Sequence, residues 1–181
     1  MPATRIPELS EALRAVTAQA ERLRKSVSAE QLERRPAPEK WSAAECLTHL
    51  AISAGLYEPV WREAYAAAKQ RGDSGREPYR MDMIGRLLNW SLEPGRFKYG
   101  TPPKFEPVNC GSVDDALAAF LESQNMVLSF MADGAGLPLD RMMIVSPAVA
   151  AMRYSIWSSF VILATHGRRH LRQAEIASGI R

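Results

Sequence analysis

Leu9, Leu13, Val16, Ala20, Leu23 and Val27 recur at alternating steps of four and three. That spacing lays one apolar seam along an α-helix, whereas a half-buried strand would alternate every second residue. A seam of this kind has to be covered, so the rest of the chain is read for helices that can cover it. The first helix opens near Pro7, which suits a first-turn position, with Glu8 and Glu11 at the positive end of the helix dipole. Arg35-Pro36-Ala37-Pro38 interrupts it.

A second helix opens at Trp41-Ser42-Ala43-Ala44-Glu45, where Ser42 and Glu45 have capping-box spacing. Its apolar face runs through Cys46, Leu47, Leu50, Ala54, Tyr57 and Trp61 to Gly72-Asp73-Ser74-Gly75, with a kink or break expected near Glu58 because of Pro59. Residues 73–112 are rich in Gly and Pro. Arg80 to Trp90 has room for a short helix, and Pro94, Gly95, Pro102, Pro103 and Pro107 prevent a long one. A connection of this length suits a crossover between parallel helices and is a natural place for a lid.

The third helix is capped at Ser112-Val113-Asp114-Asp115. It carries Val113, Leu117, Phe120, Val127 and Met131 on one seam, with Gln124 as the polar exception. It closes at Gly134-Ala135-Gly136. Met142 to Ala151 is read as an apolar linker with a short turn around Pro147, and the last helix as running from about Arg153 to Ser178, before Gly179. No internal repeat or parallel-sheet alternation appears. The expectation is an all-α four-helix bundle with a long crossover between helices 2 and 3, in a single domain over residues 1–181.

Composition narrows the function classes. Hydrophobic residues make up 46% and charged residues 24%, which excludes a disordered chain. No apolar run approaches the ~20 residues that cross a bilayer, and Met1 to Pro7 has no signal-peptide core, so a cytoplasmic protein is expected. Cys46 and Cys110 are then expected to be free thiols. The net charge of +3 arises from basic residues interleaved with acids, as in Glu21-Arg22-Leu23-Arg24-Lys25, which argues against a nucleic-acid stripe.

The chain has three histidines. His166 and His170 stand four apart, and so share one face of the last helix. His170 falls on the seam Ile156, Phe160, Leu163, Gly167, His170 and Ala174, with His166 beside it. His49 lies on the inward half of the second helix. Each could be a core residue satisfied by a neighbour, but a histidine in an apolar stripe needs partners for its buried nitrogens. Three imidazoles from two helices would hold one divalent metal and leave coordination positions open, as catalytic rather than structural zinc sites do. Gly167 would let a neighbouring helix or a ligand approach closely.

Other residues near this face have ordinary explanations. Glu45 reads first as the capping residue, Cys46 as a small core residue, and Gln173 and Gln124 as packing or register contacts. Arg168 and Arg169 read as solvated surface, and the four tryptophans as core and crossover packing, with Trp90 a possible pocket rim.

Trp41-Ser42-x-x-Glu45-x-x-x-His49-Leu50, followed by His166-x-x-x-His170-x-x-Gln173, resembles the DinB-like (YfiT-like) superfamily. The Pro36-x-x-x-x-Trp41 lead-in, the Pro102 to Pro107 crossover and Ser146-Pro147 extend the resemblance over nearly the whole chain. The resemblance implies an up-down-down-up bundle and a metal held by His49, His166 and His170. Members with an assigned activity are transferases or isomerases dependent on a low-molecular-weight thiol (bacillithiol, mycothiol or glutathione), with some hydrolases. Zinc, nickel and ferrous iron all suit imidazole ligands. A small-molecule substrate and a homodimer are expected, and no catalytic or thiol-binding residue is assigned. The alternative is a non-catalytic, metal-stabilised bundle acting in stress response or protein interaction.

Overall fold

The computed structural model describes residues 4–97, 100–108 and 110–180. The ends of the expected 1–181 unit, 1–3 and 181, therefore lie outside the described residues. The described chain is predominantly α-helical, with one two-stranded sheet. None of its helices is long and apolar enough to cross a membrane.

The first helix, α1, spans Ile6–Ser26 and buries Leu9, Leu13, Val16, Ala20 and Leu23, the expected seam, while Val27 leaves it in extended backbone. A five-residue helix, α2 (Ala29–Glu33), follows, with Ser28 accepting a hydrogen bond from the Gln31 amide. The sequence analysis did not anticipate α2, because it buries only Leu32 and so carries no period to read. The second long element is broken as Pro59 required: α3 (Ala43–Gly55) and α4 (Glu58–Arg71) are separate, and Pro59 sits in the first turn of α4. The Ser42–Glu45 capping box is formed in both directions. Gly72, at φ +68°, closes α4 in the left-handed region that favours glycine.

Within the crossover lie a short helix, α5 (Met83–Leu92), and a 3-10 turn at Pro103–Phe105. Then comes α6 (Val113–Asp133), capped by Ser112 and Asp115 as expected. The stretch Met142 to Ala151 is not simply an apolar linker. Its Met143–Val145 forms β1, which pairs antiparallel with β2 (Arg153–Ser155), Ile144 facing Tyr154. Each strand is three residues long, too short for alternation to register in the sequence. The hairpin also takes Arg153 out of the last helix, α7, which spans Ile156–Ala177 behind a Ser155 cap.

The helices α1, α3, α6 and α7 pack on one another, and α5 lies on α7 and β2. The core has two parts. One is rich in aromatic residues and gathers Tyr57, Trp61, Tyr79, Tyr154, Trp157 and Phe160 around the hairpin and the first half of α7. The other is mostly aliphatic, built from Val16, Leu23, Leu32, Leu47, Leu50, Phe120 and Leu171. Along α7 every residue from Ile156 to Thr165 is buried; beyond that only one face is. At Gly167 a Cβ would stand 2.8 Å from Val16 Cγ1, so this glycine lets α1 close against α7 between the two histidines.

A polar knot ties α5 to the start of α7. Asp82 accepts hydrogen bonds from the Gly85 amide at 2.9 Å, the Ser155 amide at 2.8 Å and Ser158 Oγ at 2.6 Å. It thereby caps α5 and holds the backbone where α7 begins. Burial alone would raise the Asp82 pKa, but these donors outweigh it and hold the carboxyl below its usual range.

Candidate metal centre

The structure brings His49, His166 and His170 together. His49 projects from α3 into the bundle and is 4% exposed, His170 is 9% exposed, and His166 is partly exposed. The ring centroids are 4.9 Å apart for His49 and His166, and 4.5 Å for each of the other two pairs; all three pairs meet edge-on. Each ring offers one nitrogen within 4.8 Å of the others, and Nε2 of His49 is 3.2 Å from Nε2 of His166. Two imidazoles on one ion, each about 2.0–2.1 Å from it, place their nitrogens about 3.0–3.4 Å apart.

The Phe105 carbonyl sets the tautomer of His49. It lies 2.7 Å from Nδ1 and can only accept, so Nδ1 carries the proton and Nε2 turns its lone pair toward the other two rings. That is how a metal-ligating histidine is usually oriented from behind. The 3.2 Å contact alone would also suit a hydrogen bond from His166. His170 adds a separate observation: its Nδ1 is buried without a hydrogen-bond partner among the described residues. Leaving such an atom unpaired costs about 1–3 kcal/mol, which a cation at the cluster would offset. Gln173 is close enough to favour the protonated form of His170, although it does not satisfy Nδ1.

All three rings are held neutral. Burial lowers the His49 pKa against the opposing Phe105 carbonyl. Burial, then the neighbouring His49 and Arg169, bring His166 down to about 3. His170 is pushed well below its usual value by burial, the other two rings and Arg169. Neutral imidazole is the form that binds a metal. The donor set therefore fits a divalent ion, with three nitrogens supplied and no fourth protein ligand among the described residues.

The surroundings divide along lines that side-chain patterns conveyed only in part. Glu45 does not face His49: its carboxylate accepts from the Ser42 amide and from Arg35, whose Nε lies 2.8 and 2.9 Å from its two oxygens. Burial would raise the Glu45 pKa, but Arg35 and the cap more than reverse this. Cys46 is fully buried in the aliphatic part of the core, and burial pushes its thiol up, so it is an unreactive core residue. Cys46 and Cys110 are both free. Gln124 is buried on α6.

Three contacts were missed. Trp41, read as packing, lies against two of the histidines, with ring centroids 4.8 Å from His49 and 5.8 Å from His170. Phe105 acts through a main-chain oxygen, which no side-chain pattern announces; the only signal was the preceding Pro102-Pro103. Arg169 is not solvated as expected. It is half-buried and donates to the carbonyls of Leu92, at 3.3 Å, and Phe97, so it pins the crossover to α7 beside the cluster. Arg168 is exposed and donates to Thr165 Oγ1. A groove between α4 and α6, lined by Glu58, Arg62, Tyr65 and Phe130, shares no residue with the histidines.

No curated protein and no solved structure matches the chain. The family model of the DinB superfamily matches residues 12–174, a span that contains all seven α-helices in whole or large part and all three histidines. The chain belongs to the DinB superfamily.

Proposed function

We propose that this protein binds one divalent metal ion through His49, His166 and His170, and that the bound metal serves a transfer reaction using a low-molecular-weight thiol, or a hydrolysis. The observation that carries the reading is the buried, unpaired Nδ1 of His170 beside a His49 ring whose tautomer is set by the Phe105 carbonyl. A divalent ion with open positions supplies a lowered pKa to a water or thiol, or polarises an electrophile.

The chain's own residues do the rest. The Phe105 carbonyl holds the proton at His49 Nδ1 and keeps Nε2 free. Trp41 covers His49 and His170 and excludes water from that side. Arg169 places a fixed positive charge near the rings, opposing their protonation, while its hydrogen bonds keep residues 92–97 against α7. Neither Glu45 nor Cys46 is assigned a role in the reaction, because one is committed to Arg35 and the Ser42 cap and the other is sealed in the core.

An up-down-down-up path through α1, α3 with α4, α6 and α7 accords with the long connection from Arg71 to Val113, since two parallel neighbours need a crossover. The free thiols of Cys46 and Cys110 agree with a reducing, cytoplasmic setting.

The test is metal analysis of protein prepared without chelator, followed by a screen of the loaded protein with several small thiols and an electrophile. About one ion per chain is expected, together with turnover that His49→Ala abolishes. Protein that holds no ion after incubation with zinc, nickel or ferrous iron would sink the reading. Stoichiometric metal without turnover in the thiol or hydrolysis assays would retain the site and favour the non-catalytic bundle.

A further inference from the structure

The two parts of the core do not run into one another along α3, α6 and α7. Leu50, Phe120 and Leu171 belong to the aliphatic part, and Ala54, Val127 and Ala164 to the aromatic part. Between those positions every buried side chain is polar: Ser53 on α3, Ser123 and Gln124 on α6, Thr165 and His170 on α7. The histidines therefore stand in a polar layer that extends from α7 and α3 to α6. Most of this layer is satisfied locally. Ser123 Oγ donates to the Phe120 carbonyl, as Ser91 and Ser159 donate to carbonyls three residues before them. Thr165 Oγ1 accepts from Arg168. Ser53 breaks the pattern: it is 1% exposed, and its Oγ has no partner among the described residues. A serine inside a helix has a carbonyl three or four residues back that it can reach by turning about χ1. Its hydroxyl is instead aimed away from its own backbone.

Resting on the metal-dependent reaction proposed above, we propose that Ser53 is a substrate-binding residue. Its Oγ hydrogen-bonds a neutral polar group, an amide or a hydroxyl, of a ligand whose other end sits on the metal. Ser53 follows His49 by one helical turn on the same face of α3, and Cβ atoms at that spacing are about 5–6 Å apart. Helical side chains lean toward the N-terminus, so Ser53 leans toward the turn that carries His49. A group bonded to Ser53 would thus lie a few bonds from a metal-bound atom. Its neutrality follows from the company it would keep. Ser53, Ser123, Gln124 and Thr165 carry no charge, and Arg169 is turned to the Leu92 and Phe97 carbonyls. A carboxylate placed at Ser53 would find one hydroxyl and no cation, a costly way to bury a charge. A hydroxyl and the Gln124 carboxamide each donate and accept, which suits a group that does the same. An alkyl ligand would leave Ser53 unpaired, so the hydroxyl selects for the polar one.

Cobalt(II)-loaded full-length protein tests this without turnover, because a thiolate bound to cobalt(II) gives a charge-transfer band in the near ultraviolet. Three thiols are titrated into native and Ser53→Ala protein: N-acetylcysteamine, which carries a neutral amide, butanethiol, which carries no polar group, and mercaptopropionate, which carries a carboxylate. Ser53→Ala is expected to weaken N-acetylcysteamine about tenfold and to leave butanethiol, mercaptopropionate and the cobalt content unchanged. In metal-free protein its thermal midpoint is expected at or above the native one, since an unpaired buried hydroxyl is removed. Equal effects on N-acetylcysteamine and butanethiol, or none on either, would overturn the proposal, as would a loss confined to mercaptopropionate. A lowered midpoint would also overturn it, by showing that the fold itself uses the hydroxyl. Protein that takes up no cobalt(II) would instead overturn the metal-binding reading beneath it.

Discussion

Two buried polar clusters sit on α7 about three turns apart, and they are built differently. At its start, Asp82, Ser155 and Ser158 satisfy one another: both Asp82 oxygens accept, and Ser155 Oγ accepts from the Ser158 amide. Farther along, three imidazoles crowd together, and His170 Nδ1 finds no partner. A saturated cluster stabilises a fold by itself, whereas an unsaturated one costs stability until something else completes it. The first cluster accounts for how α5 docks on α7. The second has the form of a cluster that a bound ion would complete.

Substitution should break the comparison in opposite directions. The largest expected effect is on metal affinity: His166→Ala or His170→Ala should weaken it by about a thousandfold, close to 4 kcal/mol, measured by competition with a chromogenic chelator. In metal-free protein, His170→Leu should be no less stable than the native chain, because it removes an unpaired buried nitrogen. A large loss there would mean that the ring is satisfied without metal. Asp82→Ala should do the reverse, lowering the unfolding free energy by about 2–3 kcal/mol in urea titrations while metal binding persists.

The two clusters should also begin to titrate at different pH, the histidines first as the pH falls. A histidine whose folded pKa lies below its unfolded value of 6.5 gains its proton first in the unfolded state. Metal-free protein should therefore lose stability as pH falls below about 6.5, by about 1.4 kcal/mol per pH unit for each ring that stays neutral, and for His166 this continues toward about 3. Asp82 is also depressed, from 3.8, so its contribution is present above that value and is lost only as pH falls below it. Denaturation midpoints across this range should show His166→Ala flattening the upper segment and Asp82→Asn the lower. The smallest effect concerns orientation. Phe105→Ala loosens the 3-10 turn whose carbonyl holds His49, and should weaken metal binding by about tenfold without removing a ligand.

How much of this was legible depended on whether the information lay in side chains. The seam from Leu9 to Leu23, the Ser42–Glu45 and Ser112–Asp115 caps and the break at Pro59 are all written in residue type and spacing, and the structure follows them. The gathering of His49 with His166 and His170 followed from the inward face each shares with apolar neighbours. The hairpin did not, because Met143–Val145 is too short to show a period of two. Asp82 was invisible as a shared cap, since its second set of donors lies more than 70 residues away. Arg169 looked like surface charge because its partners are carbonyls of a distant segment.

The crossover meets the candidate site through main-chain oxygens: Phe105 toward His49, and Leu92 and Phe97 toward Arg169. Every amino acid carries that atom. Apart from Asp82 and Gly85 where α5 docks on α7, and the prolines and buried Phe105 ring that shape its turn, the part of this segment that meets the site is held to a path and a length rather than to an alphabet. Selection can therefore rewrite its side chains while the three histidines stay in place, which would let one scaffold present different surfaces to different reactants.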